Sequence, residues 1–358
     1  MPNNRVFYAC QRLGVAPCGS TAFDTIHGVQ SVGMTTTFNL QQAFELGQLA
    51  IYENIEGIPD IEMTIEKVLD GYAPVYTLVT QAGSTSASLT GRSAAKCTMA
   101  LGIYSDTANS STGDAISTVQ LSGVYVSSVG YTANINDRVK ESVTLVGNNR
   151  VWIAAASMTW SDDPFVGNNN VPLAIAGSGG VQNREDVLFG TNGSLLPRNI
   201  PGIAANGTNT LAGGSYSAHI QSIATSVNLG REDLFELGRK GNYHRYVRFP
   251  VSVTTAIGIT SVSGDMVSAL EDGLYSEGGS CGRYNLQDQR IILKLCEGLR
   301  VDLGTKNKLA SVNTTGGDTG GGNVEITYNY QNFNDFTVYH PEDPNAAMDG
   351  FAATGSIV

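Results

Sequence analysis

The sequence predicts a mainly β protein made of two similar domains in tandem, and three observations carry this prediction. Glycine accounts for 42 of the 358 residues, well above the usual share of roughly 7 %, and a glycine inside a helix costs about 1 kcal/mol relative to alanine. Short apolar and β-branched runs separated by turn residues fill most of the chain, as is typical of strands. A set of residues also recurs in the same order 191 positions later.

The individual elements follow from the period of the apolar residues. The clearest strand is residues 59–68, where Ile61, Met63 and Ile65 alternate with polar residues, so that one face is apolar and the other wet. Helical patterns are short, and they predict helices near residues 40–48, 232–239 and 266–274. Further strands are expected, in chain order, at residues 23–40, 75–80, 96–104, 119–131, 141–146, 151–155, 246–262, 290–303 and 324–330.

The repeat predicts the domain organisation. Gln30-Ser31 precedes Phe44-Glu45-Leu46-Gly47 at the spacing at which Gln221-Ser222 precedes Phe235-Glu236-Leu237-Gly238, and the offset of 191 also relates Tyr52 to Tyr243 and Pro59 to Pro250. We interpret the series as an internal duplication. It predicts domains at residues 1–160 and 215–345, joined by a glycine- and asparagine-rich segment at 161–214 and followed by a C-terminal arm at 346–358.

The two copies are out of step after their prolines. The apolar residues of the first copy are Ile61, Met63 and Ile65, whereas those of the second begin with Val251 and Val253, which at this offset are displaced by one position. A slip of one residue exchanges the two faces of a strand. A bulge or a deletion must therefore intervene if both copies bury the same face.

Composition excludes several classes of protein. The net charge is −11 and only 15 % of residues are charged, against 41 % hydrophobic, so charge-driven disorder and a general cationic grip on phosphates are both disfavoured. We expect neither a signal peptide nor a membrane span, and no membrane partner. The five cysteines contain no C-x-x-C pair, which favours reduced thiols in a protein made in a cytoplasm.

No catalytic constellation emerges from the sequence. The four histidines are isolated, and the glycine-rich stretches lack the Lys-Ser or Lys-Thr of a phosphate loop. We therefore predict no enzyme, no cofactor and no metal. The acidic cluster around Glu62 and Glu66 leaves one alternative open, a β-rich glycan-active enzyme that uses two carboxylates.

The two copies carry opposite charge at corresponding loops. Complementary charge of this kind suits pairing between unlike domains in an assembly, so we predict a subunit or ring interface there; the alternative is that both loops are only solvated. The predicted interface residues are Glu53 and Glu56 of the first copy and Arg239, Lys240, Arg245 and Arg248 of the second.

One segment carries a resemblance to a known family. Residues 29–72, VQSVGMTTTFNLQQAFELGQLAIYENIEGIPDIEMTIEKVLDGY, resemble the signature region of tail tube proteins of long-tailed bacteriophages, and residues 220–263 resemble it more weakly. In that family a strand leads through a short helix-like element into an acidic loop, and a proline opens an amphipathic strand that helps line the tube. The basic loop and uncharged strand of the second copy depart from this pattern.

The resemblance implies a fold and an assembly. Each domain would be a β-sandwich or partly closed barrel with a short helix, and hairpins would join around a ring into a continuous inner barrel. Rings in the family hold six domains, and members with two domains per chain form trimeric rings with pseudo-sixfold symmetry. A hexamer of the doubled chain stays open.

The resemblance also implies a function in the virion tail. The chain would be the major tail tube subunit, with itself as the main partner and with sheath, tape measure, tail terminator and baseplate proteins as further partners. Its stacked rings would conduct phage DNA through a lumen without binding it specifically, because an anionic wall repels DNA. The predicted lumen-facing residues are Asp60, Glu62, Thr64 and Glu66.

Two further readings remain open besides the enzyme. A baseplate hub or tube-initiating protein also contains paired tube domains, but ends a tube instead of repeating along it. A secreted adhesin is suggested by N-x-S/T triplets at Asn109, Asn192, Asn206 and Asn313, although we expect no signal peptide.

Overall fold

The computed structural model describes residues 5–69, 73–82, 86–106, 115–135, 137–154, 158–161, 186–191, 194–197, 219–239, 241–261, 288–294, 300–317 and 319–339. Two compact units are formed. Unit 1 comprises Met1–Gly130, Lys140–Val181 and Asn228–Val251, and unit 2 comprises Tyr131–Val139, Gln182–Val227 and Ser252–Val358. The helix predicted at 266–274, the arm at 346–358 and most of the 161–214 segment lie outside the described residues. The boundaries predicted at 1–160 and 215–345 stay predictions.

The structure is mainly β, as the sequence predicts. A 3-10 turn spans Tyr8–Cys10, and the two short helices are α1 (Val75–Val79) and α2 (Leu89–Arg92). The first strands are β1 (Gln11–Pro17), β2 (Ala22–Thr25), β3 (Val29–Thr37), β4 (Leu40–Phe44), β5 (Ile51–Glu56), β6 (Asp60–Val68), β7 (Ala87–Ser88), β8 (Cys97–Ile103), β9 (Ser117–Asn134), β10 (Lys140–Gly147), β11 (Asn149–Ala154) and β12 (Thr159–Ser161). They are followed by β13 (Asp186–Thr191), β14 (Ser194–Pro197), β15 (His219–Asn228), β16 (Arg231–Leu234), β17 (His244–Val247), β18 (Ser252–Thr260), β19 (Arg290–Lys294), β20 (Arg300–Asp302), β21 (Lys308–Thr315), β22 (Glu325–Phe333) and β23 (Thr337–Tyr339).

Unit 1 is built around two runs of paired strands that share β9. One run has the order β12-β2-β1-β8-β9, and the other has the order β3-β6-β10-β9. The apolar face of β6 is buried together with Val143 and Leu145 of β10. The alternation at residues 59–68 therefore produces the predicted strand with one buried side.

Unit 2 contains a second sheet and a smaller one. The larger sheet has the order β15-β18-β22-β21, and β15 also pairs with β9, whose C-terminal residues belong to this unit. The smaller sheet includes β14, β13, β19, β20 and β23 in that order. Within the described part of unit 2 no α-helix is present, so the short helix expected in each domain is found in unit 1 alone among the described residues.

The two units repeat one strand order. In unit 1 the order is β3-β6-β10-β9, and in unit 2 it is β15-β18-β22-β21. In each set of four strands, the two that come first along the chain form a hairpin. The strand that comes fourth along the chain lies between this hairpin and the strand that comes third. This correspondence is what a duplication predicts, although the duplication itself stays a prediction.

The first hairpins of the two units also have the same register. Val32 pairs with Ile65 in β3 and β6, and Ile223 pairs with Ile257 in β15 and β18. Val32 and Ile223, on the first strands, are 191 positions apart, and Ile65 and Ile257, on the second strands, are 192 positions apart. The difference arises because β6 begins directly after Pro59, whereas Val251 separates Pro250 from β18. One additional residue thus accounts for the slip seen in the sequence, and both hairpins bury the same face.

Two helices expected from the sequence are strands instead. Residues 40–48 and 232–239 were predicted as helical, but Leu40–Phe44 is β4 and pairs with β5, and Arg231–Leu234 is β16 and pairs with β17. Cross-strand pairing with a segment ten or so residues later overrides a local preference for helix. Gly47 and Gly238 occupy corresponding positions near the ends of the two hairpins, with φ of 92° and 84°, a conformation that favours glycine.

The strand predicted at residues 75–80 is the helix α1. Its β-branched and aromatic side chains are all buried, so burial on every side hides the helical period. Pro74 precedes the helix, and the buried carboxylate of Glu141 accepts hydrogen bonds from the backbone N–H of Val75 at 2.6 Å and of Tyr76 at 3.0 Å. These bonds satisfy donors that a helix start leaves open.

Candidate functional site

The strand β6 places the four predicted lumen residues on one face. Asp60, Glu62 and Thr64 are exposed and Glu66 is half-buried, while the alternating Ile61, Met63 and Ile65 are buried. The predicted wet and apolar faces are confirmed. The position of this face in a lumen stays a prediction.

The neighbouring strands extend the face with small and hydroxyl side chains. Register pairs Ser31 with Glu66 and Thr35 with Glu62, and Ser31 Oγ donates to Glu66 Oε2 at 3.4 Å. We call the resulting surface the acidic face; it consists of Ser31, Gly33, Thr35, Thr37, Asp60, Glu62, Thr64, Glu66, Ser142, Thr144 and Val146. None of these residues is a cation, so the face itself has no group that would hold a phosphate. Lys140, on the same side of β10, pairs with Val68 beyond the last residue of the face.

The corresponding face of unit 2 is polar and almost uncharged. Ser252, Thr254, Ala256 and Gly258 of β18 alternate with buried residues, which identifies the solvent-facing side of the strand that the sequence left open. We call this surface the neutral face; its uncharged members are Ser222, Ala224, Ser226, Asn228, Ser252, Thr254, Ala256, Gly258, Thr327, Asn329, Gln331, Ser311 and Asn313. Lys308, which pairs with Gln331, and Glu325, which pairs with Thr260, carry single charges at its two ends. Hydroxyl, amide and small side chains thus replace the carboxylates of the acidic face.

Each hairpin continues into a second, smaller hairpin. Residues 38–57, with β4 and β5, are called arm 1, and residues 229–248, with β16 and β17, are called arm 2. Their registers correspond at an offset of 191: Gln42 pairs with Asn54 in arm 1, and Asp233 pairs with Arg245 in arm 2.

Arm 1 is exposed along its whole length. Every residue from 38 to 57 is exposed except Ala43, which is half-buried. Its exposed apolar side chains are Phe38, Leu40, Phe44, Leu46, Leu49, Ile51, Tyr52 and Ile55. Exposed apolar groups in this number mark an interaction surface.

Arm 2 is held against the rest of unit 1 by two arginines. Arg231 donates from Nε to the carbonyl of Val126, from Nη1 to that of Arg245 at 3.0 Å and from Nη2 to that of Ser93 at 2.8 Å. Its guanidinium also lies 4.8 Å from the ring centroid of Tyr125. Burial lowers the pKa of Arg231 to about 10, so the group stays charged at neutral pH.

Arg245 makes the second set of contacts. Its Nη2 lies 3.0 Å from Asp60 Oδ1 and its Nη1 lies 3.1 Å from Asp233 Oδ1. It also donates to Asn148 Oδ1 from Nε at 3.0 Å and from Nη2 at 2.7 Å. One carboxylate of the acidic face is therefore already paired inside the chain.

The predicted interface residues divide into four groups. Glu53 and Glu56 are exposed on β5. Arg239 and Arg248 are exposed and lie 3.3 Å from Glu236 and 3.9 Å from Glu232. Arg245 is buried within unit 1, and Lys240 lies outside the described residues. An interface role stays a prediction for all of them, and the charge of Arg245 is used inside the chain.

Two groups of residues escaped the sequence reasoning. Arg231 lies just before the helix expected at 232–239 and was not singled out, although it stands 191 residues after Leu40, a contrast that could have drawn attention to it. Lys67 and Glu141 are fully buried and directly opposed in register, and Lys67 Nζ donates to the carbonyl of His27 at 2.6 Å. Their burial has no sequence signal, since each lies on a strand with other charged residues.

The described part of the chain holds no arrangement that points to metal chemistry or a membrane. No cluster of three or more His, Cys, Asp or Glu side chains in these ranges is placed to bind a metal ion. None of the helices in the same ranges has the length and apolar character that crossing a bilayer requires.

Comparison with known proteins gives weak structural neighbours. The chain is similar to parts of the anti-feeding prophage baseplate (10 % identity, 43 % of this chain and 98 % of that chain, TM-score 0.33) and of the anti-feeding prophage tube-terminating cap (9 %, 43 % and 95 %, 0.31). It is also similar to a sheath/tube terminator of an extracellular contractile injection system in the extended state (13 %, 43 % and 96 %, 0.31). Neither a family model nor a curated protein matches the sequence. At these scores the likeness is too weak to assign a function.

Proposed function

We propose that this chain is a structural protein of a phage-like tail, and specifically the tube subunit whose rings stack into a hollow tube that conducts DNA. The observation that supports the proposal most directly is the repeated sheet. Two four-stranded sheets with one strand order and one hairpin register each present a polar face, one acidic and one neutral. A duplicated tube domain requires such a pair.

The strand edges support closure of the chain into a ring. In the described part of the chain β3 pairs only with β6, and β21 pairs only with β22. The corresponding edge of β15 is hydrogen-bonded to β9, for example by the N–H of Ile135 to the carbonyl of Gln221 at 2.9 Å. Because β9 corresponds to β21, we expect β21 of one copy to pair with β3 of the next. Pairing around a ring removes edges that would otherwise cause aggregation.

The two faces suit a channel for DNA. The carboxylates of the exposed Glu62 and the half-buried Glu66 repel phosphates, and the neutral face offers mostly hydroxyl and amide groups, with Lys308 at one end. A duplex would therefore meet no strong binding site along such a wall. Three copies of the chain supply six four-stranded sheets, in agreement with the expected pseudo-sixfold ring.

Electron microscopy of the purified full-length chain tests the proposal. We expect hollow filaments with a regular axial repeat and a bore wide enough for duplex DNA, and their cross-section distinguishes a trimeric from a hexameric ring. Single rings that never stack would favour a tube-initiating or hub protein. A chain that stays monomeric at every concentration reached, or a filament without a bore, would overturn the proposal.

A further inference from the structure

The two arms have the same register but different surroundings. Arm 2 is fixed to unit 1 through Arg231 and Arg245. Arm 1 has Leu40 and Asn54 at the corresponding positions, and neither side chain can reproduce a guanidinium that donates to several carbonyls or carboxylates at once. Arm 1 is thus exposed, rich in apolar side chains and without the groups that hold its counterpart.

The surface that receives arm 2 has a counterpart in unit 2. Ile61 pairs with Gly147 in unit 1, and Val253 pairs with Asn332 in unit 2, so Gly147 corresponds to Asn332. A Cβ built on Gly147 would lie 2.6 Å from Val124 Cγ1, which places Val124 beside Gly147.

The same reasoning locates Lys308. It pairs with Gln331, the residue before Asn332. Since β9 corresponds to β21, Lys308 stands where unit 1 has Tyr125, the residue after Val124. In unit 1 the hydroxyl of Tyr125 lies 3.4 Å from Nδ1 of His244, and the residue of arm 1 that corresponds to His244 is Glu53.

The charges of arm 1 and of this surface are complementary. Arm 1 contains three glutamates and no Lys, Arg or His. Lys306 and Lys308 are both exposed at the start of β21. Lys308 also lies 3.0 Å from Asp288, but both side chains are about half exposed, and surface pairs of this kind contribute no more than about 1 kcal/mol.

Apolar groups accompany the charges. Phe333 is exposed at the end of β22, beside Asn332, and it corresponds to Asn148, which binds Arg245 of arm 2. On arm 1, Phe38 and Leu40 are exposed, whereas Leu229, the counterpart of Phe38, is buried in unit 1. A contact of Phe38 and Leu40 with Phe333 would therefore bury apolar surface of arm 1 on assembly. Arm 2 buries the corresponding surface within its own chain.

We propose that arm 1 docks on unit 2 of a second copy of this chain, with Glu53 and Glu56 against Lys306 and Lys308 and with Phe38 and Leu40 near Phe333. This inference deepens the proposed function and rests on it. Each copy donates one arm and receives another, so the contact is heterologous and propagates around a ring or along a filament. The other arm stays within its own chain.

A charge exchange tests the contact in the full-length chain. The variants are Glu53→Lys/Glu56→Lys, Lys306→Glu/Lys308→Glu and the combination of all four, with Glu325→Lys and Lys96→Glu as exposed controls. Self-association is measured by sedimentation and folding by circular dichroism. Each double variant should weaken association by about tenfold or more without unfolding, because like charges then face each other.

The combined variant is the decisive test of the contact. It should recover most of the lost association, since the charges are again complementary, while both controls should behave as the unmodified chain does. Double variants that associate normally, or a folded combined variant that does not recover, would overturn the docking proposal. Hollow tubes formed by those same double variants would contradict only the arm contact and leave the proposed tube function intact. Self-association of the unmodified chain without formation of tubes would contradict only the tube function. A wild-type chain that never self-associates would contradict both proposals.

Discussion

Arg245 and Asp60 join arm 2 to the acidic face: Arg245 Nη2 lies 3.0 Å from Asp60 Oδ1, with the arginine buried and the aspartate about half exposed. The sequence places these residues 185 positions apart, and it predicts Asp60 as a lumen-facing residue and Arg245 as an interface residue. In the structure they form one contact within unit 1. The pair therefore stabilises the arm that the chain keeps for itself.

Loss of this pair should destabilise unit 1. Arg245→Ala leaves Asp233 and Asn148 without their partner, so we expect the free energy of unfolding to fall by about 2–3 kcal/mol. Urea unfolding of the unassembled chain measures the change. Arg248→Ala is the matched control, because Arg248 is exposed and 3.9 Å from Glu232; its effect should stay within about 0.5 kcal/mol. Equal effects of the two variants would contradict the role given to Arg245.

The period of two predicted most of the strands, because those strands bury one face and expose the other. Residues 96–104, 119–131, 141–146 and 324–330 correspond to β8, β9, β10 and β22. The expected strand at 246–262 is divided between β17 and β18, since residues 248–251 belong to neither strand. The patterns at residues 75–80 and 40–44 predicted the wrong element for opposite reasons. Residues 75–80 were predicted as a strand, but α1 is a helix buried on all sides; residues 40–44 were predicted as helical, but β4 is a strand buried on neither side.

The polar faces could be predicted, but the use of the charges could not. Alternation along β6 placed Glu62 and Glu66 on the wet face, because burial of the intervening Ile and Met residues fixes the orientation of the strand. The environment of Arg231 and Arg245 depends on contacts with residues about 100 or more positions away. The opposite charges of the two loops can be read from the sequence. Whether each charged side chain pairs inside the chain or outside it depends on the fold.

The buried carboxylate of Glu141 should be essential for the start of α1. Glu141 is fully buried opposite Lys67, and it accepts the N–H groups of Val75 and Tyr76. In Glu141→Gln one oxygen becomes an NH2 group that faces a donor, so we expect a loss of about 3 kcal/mol in the free energy of unfolding. Glu62→Gln, an exposed change on the neighbouring strand, should leave the urea midpoint unchanged. A similar shift in both variants would remove the special role of Glu141.

The contribution of Asp302 to the stability of unit 2 should be larger in acid than at neutral pH. Burial raises the pKa of Asp302, although hydrogen bonds from Arg290 and from the backbone of Gly304 oppose the shift. The folded carboxyl group therefore keeps its proton to a higher pH than the unfolded one, whose pKa is about 3.9. Its stabilising contribution is complete below that value and is lost as the pH rises through the raised pKa.

Comparison with Asp302→Asn isolates this group. The asparagine does not titrate and the other ionisable groups are shared, so the free energy of unfolding of the wild type minus that of the variant should decrease from pH 4 to pH 7. Urea titrations of both proteins at several pH values give the difference directly. A difference that increases with pH would show that the contacts with Arg290 outweigh burial.

Charge reversal on the acidic face should create an affinity for DNA without changing the fold. Glu62 and Glu66 are solvent-accessible, and Glu62→Lys/Glu66→Lys would place two cations on each copy where no cation stands. Phosphate contacts release counterions, so binding should fall steeply with salt, with a slope of roughly −0.9 for each phosphate contacted. Filter binding of duplex DNA at rising salt measures the slope, and electron microscopy checks the assembly. Glu62→Gln/Glu66→Gln is the matched control, because it removes the carboxylates without adding cations and should bind little DNA. Equal binding by the lysine and glutamine variants, in tubes of unchanged form, would mean that this face does not meet the DNA.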